Sequence, residues 1–422
     1  MADPANATPA CNLVAIDIGR YANAVLIEAT SGKRHRFKMA NTAADFGRLL
    51  NFLRTLPGDC RVGLEPTGDY HRPIAHRLLC AGFEVVSINS VALSRYREAI
   101  FNSWDKNDPK DAGVILEMLR CGAVQRYVDP RVVGTHDLQE LAKTYYQVSR
   151  ARTKVQHSLI NHGLPLYFPE MHRYWATTRN EWFVRFLLQF PTPAHVRSLS
   201  RAQFVEAAWD VVGRKVNKQA KLEEIWEMAG ATAALPAVET FRITLRRYQE
   251  LNELRADLEL RAEQALQTNT DFAHLKTLPG IGSVIAMTIL AEGGDLRRFG
   301  HHRQFLKYCG LDLAKNQSGT QRGKEQLSKR GNARLRLAFW LAAVAAVHMK
   351  ENSFRAKYER YIRTAPEDAD LRRKALTAVA AKMARVAYGM IKKNQPYRQF
   401  FEQSLPSGSI PLSAAVGAHA TP

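Results

Sequence analysis

The chain of 422 residues is long enough for two to four domains with buried cores. Its 60 Lys and Arg outnumber 40 Asp and Glu, so the formal net charge is +20 and the pI is near 9.9. Residues 301–400 hold 22 of these cations against 7 anions, a net charge of +15. This concentration disfavours a basic protein with scattered Lys and indicates a surface for nucleic acid.

The cysteines and the apolar segments indicate a reducing compartment without a membrane anchor. Five dispersed cysteines form no C-x-x-C pair, which argues against a disulfide framework or a structural zinc site. The first residues lack the basic and apolar regions of a signal peptide. The apolar stretch 335–347 is too short to span a bilayer and predicts a buried helix. We therefore expect a cytoplasmic protein that does not bind membranes.

Residues 12–130 predict an α/β domain after a disordered segment, 1–11. Turn signals separate three short strands, at 12–19, 22–29 and 33–39. The pattern then predicts a helix at 43–56, a strand at 61–65, a helix at 70–81, a strand at 84–88 and a helix from Asp108. A meander followed by alternating helices and strands makes the first and fourth strands parallel neighbours, which is the ribonuclease-H-like arrangement.

Four carboxylates stand where these elements end or begin. Asp17 and Glu65 end the first and fourth apolar runs, and Asp108 and Asp111 begin the last helix. Converging carboxylates repel one another unless a divalent ion lies among them, so the order predicts a metal site. Asp108 also fits a helix N-cap with proline at the first helical position, and Asp105 is an alternative for its role.

Residues 131–270 predict long helices with an additional helical insertion at 181–230. Apolar residues recur every three or four positions along one helix, at Phe241, Leu245, Tyr248, Leu251, Leu254, Leu258, Ala262 and Ala265. This spacing fits an amphipathic helix packed within its own domain and an intermolecular coiled coil equally well.

Residues 271–400 predict a mainly helical C-terminal domain, followed by a disordered tail at 401–422 that is rich in Ala, Ser, Gly and Pro. The segment Pro279-Gly280-Ile281-Gly282 resembles the turn of a helix-hairpin-helix element. Such a turn can offer the backbone N–H groups of Gly280 and Gly282 to a phosphate, although an ordinary interhelical turn fits equally well.

A polar loop further along contains Ser318 among five cations, which are Lys315, Arg322, Lys324, Lys329 and Arg330. A serine in such a loop is by default a solvated residue. Cations at this density can instead neutralise a phosphate and stabilise a phosphoryl-transfer transition state. No histidine stands nearby to act as a base, so a metal ion or its bound water would have to take the hydroxyl proton.

The motifs in their order resemble the DEDD transposases of insertion-sequence family 110, the group that includes the Piv-type DNA invertases. The N-terminal motifs are Ile16-Asp17-Ile18-Gly19, Leu64-Glu65-Pro66-Thr67-Gly68 and Asn107-Asp108-Pro109-Lys110-Asp111. The C-terminal motifs are Leu278-Pro279-Gly280-Ile281-Gly282, Tyr308-Cys309-Gly310-Leu311, Ser318-Gly319 and Leu327-Ser328-Lys329-Arg330-Gly331-Asn332.

The resemblance implies a RuvC-like N-terminal domain in which Asp17, Glu65, Asp108 and Asp111 bind Mg²⁺. It also implies a C-terminal transposase domain with Ser318 as the covalent nucleophile, and a structured guide RNA, encoded by the element, that selects the DNA. The spacing from Ser318 to Ser328 departs slightly from the family, so Thr320 is the alternative nucleophile.

We therefore expect a transposase that cuts and rejoins DNA, working as a dimer or tetramer whose active site could form across subunits. The alternatives are a RuvC-like hydrolytic junction nuclease and a Piv-like site-specific invertase. An actin-like sugar kinase would need a second glycine-rich phosphate loop in the right place. A non-catalytic DNA-binding regulator would leave the four carboxylates without a purpose.

Overall fold

The computed structural model describes residues 11–101, 108–129, 131–132, 134, 136–175, 181–212, 217–236, 239–314, 317–318, 321–322, 326–350 and 352–398. At residues 101, 108–109, 136, 181, 317–318 and 321–322 it describes the backbone alone. The predicted tail 401–422 and nearly all of the predicted segment 1–11 lie outside this description. The chain divides into two units, Met1–Asp137 and Leu138–Pro422. The predicted boundaries near residues 130 and 270 stay predictions.

Unit 1 contains a six-stranded mixed sheet with the order β3-β2-β1-β4-β5-β6. The strands are β1 Asn12–Asp17, β2 Ala22–Glu28, β3 Arg34–Ala40, β4 Cys60–Leu64, β5 Glu84–Ser87 and β6 Gln125–Arg126. Strand β1 is antiparallel to β2 and parallel to β4, and β4 is parallel to β5. The predicted parallel pairing of the first and fourth strands is thus confirmed.

Four helices accompany this sheet: α1 Ala43–Thr55, α2 Arg72–Cys80, α3 Ser90–Phe101 and α4 Asp108–Arg120. Helix α1 begins where the Thr42 hydroxyl accepts a hydrogen bond from the Asp45 N–H at 3.2 Å, and it buries Phe46 and Leu49 on one face. The predicted helices at 43–56 and 70–81 are confirmed within two residues at each end. Helix α3 is an element that the sequence pattern did not predict.

The two faces of the sheet carry separate cores, because successive side chains of a strand alternate. Val14 and Ile16 of β1 lie in the core formed with α1 and α2. Leu13 and Ala15 point the other way, into the core formed with Leu93 of α3 and the apolar residues of α4. Helix α4 therefore covers the face to which the odd-numbered residues of β1 belong.

Unit 2 is mainly helical. Its first helices are α5 His136–Ser158, α6 Leu164–Tyr167, α7 Glu181–Gln189, α8 Pro193–Arg197, α9 Arg201–Ala208, α10 Lys218–Gly230 and α11 Glu239–Leu266. Next come α12 Thr270–Lys276, α13 Ser283–Gly293, α14 His302–Cys309, α15 Ala333–His348, α16 Ser353–Ile362 and α17 Ala369–Lys393. Four two-residue strands lie between α14 and α15: β7 Leu313–Ala314, β8 Gln317–Ser318, β9 Gln321–Arg322 and β10 Gln326–Leu327.

Two hydrophobic cores stabilise unit 2, and the long helices α5 and α11 contribute to both. An aromatic-rich core joins the predicted insertion to these helices and buries Phe168, Phe183, Phe186 and Phe204. A second core contains the helices from α12 to α17, with Ala142 of α5 and Ala262 of α11. Helix α13 is almost wholly apolar and has no fully exposed residue, whereas α15 buries one face and leaves Leu337 and Leu341 exposed on the other.

The heptad-like stripe of α11 faces the protomer's own cores. Phe241, Leu245, Tyr248, Leu258 and Ala262 are buried there, whereas Leu254 remains 44% exposed. The structure thus favours the amphipathic-helix interpretation of this stripe over an intermolecular coiled coil. No helix in the described part of the chain combines the length and the apolarity needed to cross a membrane.

Candidate functional site

The parallel pairing of β1 and β4 places two of the predicted acidic residues side by side. Ile16 is the register partner of Leu64, so Asp17 and Glu65 occupy the next positions along the two strands. Neighbouring strands lie about 4.8 Å apart. Both residues are partly buried, and alternation puts them on the face that α4 covers. This is the arrangement that the sequence predicted for a shared ion.

Helix α4 brings a third carboxylate to the same face. Asp111 lies one turn into α4 and is only 1% exposed. The Nε atom of Arg97, on α3, lies 2.5 Å from its Oδ1. The contact is an ion pair without hydrogen-bond geometry, and no described residue donates a hydrogen bond to either Asp111 oxygen. A buried carboxylate needs a cationic partner, and Arg97 supplies that charge here.

The other end of α4 is fixed to the sheet by a charged network. Arg120 donates from Nη2 to Glu28 Oε1 at 2.6 Å and from Nη1 to Glu117 Oε1 at 3.0 Å. Arg34 donates to the second oxygen of Glu28 at 2.7 Å. Burial alone would raise the pKa of the Glu28 carboxyl, but the hydrogen bonds from Arg120 and Arg34 outweigh it and hold the pKa below 4.5. The network therefore fixes α4, and with it Asp111, against β2.

The donor set suits a hard divalent cation, since carboxylate oxygens are the ligands that Mg²⁺ prefers. The backbone of Asp108 begins α4, but its side chain and the alternative Asp105 lie outside the description. Within the described residues, no group of three or more His, Cys, Asp and Glu lies close enough to hold a metal ion. Oδ1 of Asp111 faces Arg97, whereas its Oδ2 accepts no hydrogen bond from the described residues and retains capacity for a further cation.

Ser318 lies in a β-hairpin, not in the irregular loop that its sequence indicated. The stem is formed by β7 and β10, with Leu313 opposite Leu327. Beyond the stem, β8 pairs with β9, and Ser318 is the register partner of Gln321. Of the surrounding cations, Lys329 and Arg330 are exposed, and Arg322 is described in backbone alone. The remaining two, Lys315 and Lys324, and the alternative nucleophile Thr320 lie outside the described residues.

At the base of the hairpin, the backbones of Gly310 and Gly331 lie in contact. A Cβ atom on Gly331 would lie 2.5 Å from the Gly310 nitrogen and 2.5 Å from the Tyr308 oxygen, and Gly331 has a φ of 155°. The Asn332 N–H donates to the Tyr308 oxygen at 2.7 Å, and the Ser328 N–H donates to the Asp312 oxygen at 2.9 Å. Gly331 therefore has no room for a side chain, and Gly310, with a φ of 67°, adopts a backbone conformation that favours glycine.

Three residues that the sequence did not single out hold this base in place. The Glu292 carboxylate, at the end of α13, accepts hydrogen bonds from Asn332 Nδ2 at 2.7 Å and Arg334 Nη1 at 2.6 Å. Arg336 donates to the Lys329 backbone oxygen at 3.1 Å. The backbone of Lys329 lies in the left-handed region, with a φ of 54°. The signal in the sequence was the motif around Asn332, but nothing there identified Glu292 as its partner.

The two glycines of the predicted phosphate-binding turn, between α12 and α13, differ in their surroundings. Gly280 has a φ of 83°, and a Cβ atom there would lie 2.2 Å from the Ala342 oxygen and 2.8 Å from the Ala346 nitrogen of α15. Gly282 is exposed, caps α13 with extended backbone, and has no atom near an added Cβ. Packing against α15 thus gives Gly280 a structural reason to be glycine, whereas no packing contact explains Gly282; phosphate binding by either residue stays a prediction.

Comparisons with known proteins agree with the motif order. The DEDD transposase model of the IS110 group matches residues 14–169. The model of the transposase IS116/IS110/IS902 family matches residues 273–359. The chain belongs to the IS110-family DEDD transposases. As a transposase it is an enzyme that cuts and rejoins DNA.

The similar proteins include transposases and an inverting recombinase. A probable family 20 transposase of Pseudomonas aeruginosa is 26% identical over 86% of this chain and 93% of its own length. The transposase for insertion sequence element IS1111A of Coxiella burnetii is 24% identical over 70% of this chain and 69% of its own. A pilin gene-inverting protein of Moraxella bovis is 24% identical over 29% of this chain and 37% of its own.

A solved structure titled "T. thermophilus RuvC in complex with Holliday junction substrate" is 14% identical to this transposase. The match covers 28% of this chain and 99% of that one, with a TM-score of 0.20. A score this low carries no argument, so the fold of unit 1 rests on its own strand order and pairing.

Proposed function

We propose that this transposase cuts and rejoins DNA through the acidic set of unit 1 and the Ser318 hydroxyl of unit 2. The observation that carries the proposal is the pairing of β1 with β4, which aligns Asp17 with Glu65 on the face covered by α4. Asp111 lies on that helix with two oxygens that accept no hydrogen bond from the described residues. Arg97 already supplies one positive charge to Asp111, and a divalent cation would supply charge to the set as a whole.

Asp17, Glu65, Asp108 and Asp111 are the residues that would hold Mg²⁺. When bound, the ion would neutralise charge on the scissile phosphate and polarise it toward attack. The four carboxylates would position the ion. The hydrogen bond between Arg120 and Glu28 holds α4, which carries Asp108 and Asp111, against the sheet.

Ser318 is the proposed nucleophile. Its Oγ forms a bond to phosphorus while the bond from phosphorus to one deoxyribose oxygen breaks. A water molecule takes the hydroxyl proton, which Mg²⁺ would assist when bound, and the released deoxyribose oxygen takes up a proton. The phosphoserine linkage conserves the bond energy, so rejoining requires no ATP. The exposed cations Lys329 and Arg330, at the foot of the hairpin, contribute positive charge beside the DNA phosphates.

The family resemblance adds three further proposals. A structured guide RNA encoded by the element selects the DNA, and the protein works as a dimer or tetramer. The site of action is the cytoplasm, which fits the five free cysteines, Cys11, Cys60, Cys80, Cys121 and Cys309.

Trapping the covalent intermediate tests the nucleophile. A reaction on labelled transposon-end DNA is denatured midway, and protein-linked DNA is separated and mapped by peptide mass spectrometry. We expect a phosphoserine at Ser318 that is lost in Ser318→Ala, while DNA binding stays intact because the cations remain. Ser328→Ala and Thr320→Ala are the matched controls and should keep the adduct.

Two results would contradict this mechanism. Nicked, protein-free DNA from both the wild type and Ser318→Ala would indicate a hydrolytic junction nuclease. An adduct that survives in Asp17→Asn or Glu65→Gln at the wild-type rate would show that the acidic set does not serve the cleavage step. Mapping the adduct to Thr320 would keep the covalent mechanism and correct the residue.

Site-specific DNA inversion is a second candidate, favoured by the similarity to the pilin gene-inverting protein. A plasmid with two inverted recombination sites distinguishes it from insertion. Inversion without excised circular products supports the second candidate, whereas circular or inserted products support transposition.

A further inference from the structure

A second basic surface of unit 2 lies between α16, α17 and the segment 395–398 that follows α17. It is a groove of about 1270 Å³. Among the described residues, its lining contains seven Lys and Arg side chains and the carboxylate of Glu359, a formal net charge of +6 for that part of the lining. Arg355 pairs with Glu359 at 2.7 Å. We call this surface the α16–α17 groove. It shares no lining residue with the Ser318 hairpin or its base.

The wall of the α16–α17 groove is an ordered structure. Phe354 is fully buried and stacks on Tyr397, with ring centroids 5.8 Å apart. The Tyr397 hydroxyl hydrogen-bonds the Ser353 hydroxyl at 3.0 Å, and the Tyr397 N–H donates to Thr277 Oγ1 at 2.8 Å. Lys382 Nζ lies 5.3 Å from the centre of the Phe354 ring and donates to the Ser353 backbone oxygen. These contacts hold the ammonium group of Lys382 against the wall of the groove.

The cations of the groove are close enough to disfavour one another. Burial lowers the pKa of Lys357, and the positive charges of Arg385, Lys382 and Arg360 lower it further. A depressed lysine pKa means that the charged form costs folding free energy at every pH below that pKa. A polyanion in the groove would offset this cost.

Two cations near the start of α17 lie outside the groove and pair with a carboxylate on their own helix. Arg373 and Lys374, near the start of the helix, both pair with Asp370, at 2.7 and 3.3 Å. The two cations share this one carboxylate, and their side chains are largely exposed. They lie outside the lining of the α16–α17 groove, so they offer a matched control for it.

We propose that the α16–α17 groove binds the phosphodiester backbone of a nucleic acid at a place separate from the Ser318 hairpin. The proposal rests on the proposed function only in taking nucleic acid as the substrate. The lining is cationic, and its ring, Tyr397, is already stacked on Phe354, so contact is to phosphates and without base readout. Phosphodiesters of the target DNA and of a structured RNA share this chemistry, and the experiment separates them.

The test uses the full chain with Lys357→Gln/Lys393→Gln as the groove variant and Arg373→Gln/Lys374→Gln as the control. Both variants lose two positive charges. Fluorescence anisotropy gives the affinity for a duplex DNA and for an RNA hairpin between about 50 and 200 mM KCl. We expect the groove variant to flatten the slope of log affinity against log salt by about 1.8, since each lost contact with duplex DNA contributes about 0.9. The control should leave the slope unchanged.

The two ligands identify the source of the phosphates. A flattened slope for DNA alone assigns the groove to DNA, and one for RNA alone assigns it to RNA, so either supports the proposal. An unchanged slope for both ligands overturns it. Equal flattening by the groove variant and the control also overturns it, because net charge would then explain the binding.

A stability measurement on Lys357→Gln provides an independent check. Removing this charge relieves repulsion, so its melting temperature should rise above that of the wild type while affinity falls. A lower melting temperature would contradict the statement that neighbouring cations disfavour the charged form of Lys357. Adduct formation at Ser318 is scored separately. An unaffected adduct with an unchanged salt slope refutes the groove alone, and loss of the adduct with normal binding refutes the Ser318 mechanism alone.

Discussion

Substituting Gly280 by alanine tests whether the turn before α13 is a packing element or a phosphate site. The added Cβ would lie 2.2 Å from the Ala342 oxygen and 2.8 Å from the Ala346 nitrogen, both backbone atoms of α15. Neither atom can move without shifting that helix. The φ of 83° is also unfavourable for any residue with a Cβ.

Two terms give the expected size of the effect. Left-handed backbone in a non-glycine residue costs about 1–2 kcal/mol. Overpacking a core in which backbone must shift costs about 1–3 kcal/mol. Gly280→Ala should therefore destabilise unit 2 by about 2–5 kcal/mol. For a unit of this size, each kcal/mol lowers the melting temperature by about 2–4 °C, so the fall should be roughly 4–20 °C.

Gly282→Ser is the matched control, two residues away in the same turn. An added Cβ there meets no atom within 4 Å, and the backbone is extended. Serine is at least as good an N-cap as glycine, so stability should change by less than about 0.5 kcal/mol. Calorimetry of the full chain measures both variants. Equal melting temperatures for Gly280→Ala and wild type would refute the packing argument and return Gly280 to the phosphate-binding interpretation.

Three further predictions follow from charged contacts near the two candidate sites. Glu28→Gln should cost about 3–5 kcal/mol in urea unfolding at pH 7, because Arg120 loses its buried partner; since folding lowers the Glu28 pKa, that difference should hold above pH 4.5 and shrink as the pH falls through the folded pKa. Arg97→Gln should leave Asp111 without a cation, so added Mg²⁺ should raise the melting temperature of this variant more than that of the wild type; an equal rise would contradict a cation site at Asp111. Glu292→Gln should lower thermal stability by about 1–2 kcal/mol through its lost hydrogen bonds to charged partners at the hairpin base, and no change would show that this base holds itself.

Most of unit 1 could be predicted from the sequence because its signals are local. The turn residues and the apolar runs of β1 and β4 gave strand limits within two residues, and strand order then fixed Asp17 beside Glu65. Helix α3 was missed because its pattern is weak. Leu93 is its one described side chain in the buried class, and the residue that meets Asp111 is the charged Arg97. An apolar period cannot show an arginine that faces inward.

The C-terminal part was harder to predict because its decisive contacts join distant segments. The hairpin strands β8 and β9 are polar and two residues long, so Ser318 and Arg322 carry no alternation that indicates a strand. Gly280 sits in a motif that fits a phosphate-binding turn. The approach of the Ala342 backbone, which explains it, depends on a helix far along the chain. The assignment of Ser318, Asp108 and the other site residues to catalysis stays a prediction.

The contact between Gly310 and Gly331 also bears on how this family could diversify. Because the two backbones meet below β7 and β10, the ends of the intervening segment are held at a fixed separation whatever lies between them. Lengthening a closed loop costs only about 0.6 kcal/mol for each doubling. The segment between Asp312 and Ser328 should therefore tolerate changes in length, because its two ends are held together by the base of the hairpin. Insertions there should leave the helices beneath it undisturbed, whereas a methyl group at Gly331 would lie 2.5 Å from two backbone atoms and would force the two segments apart.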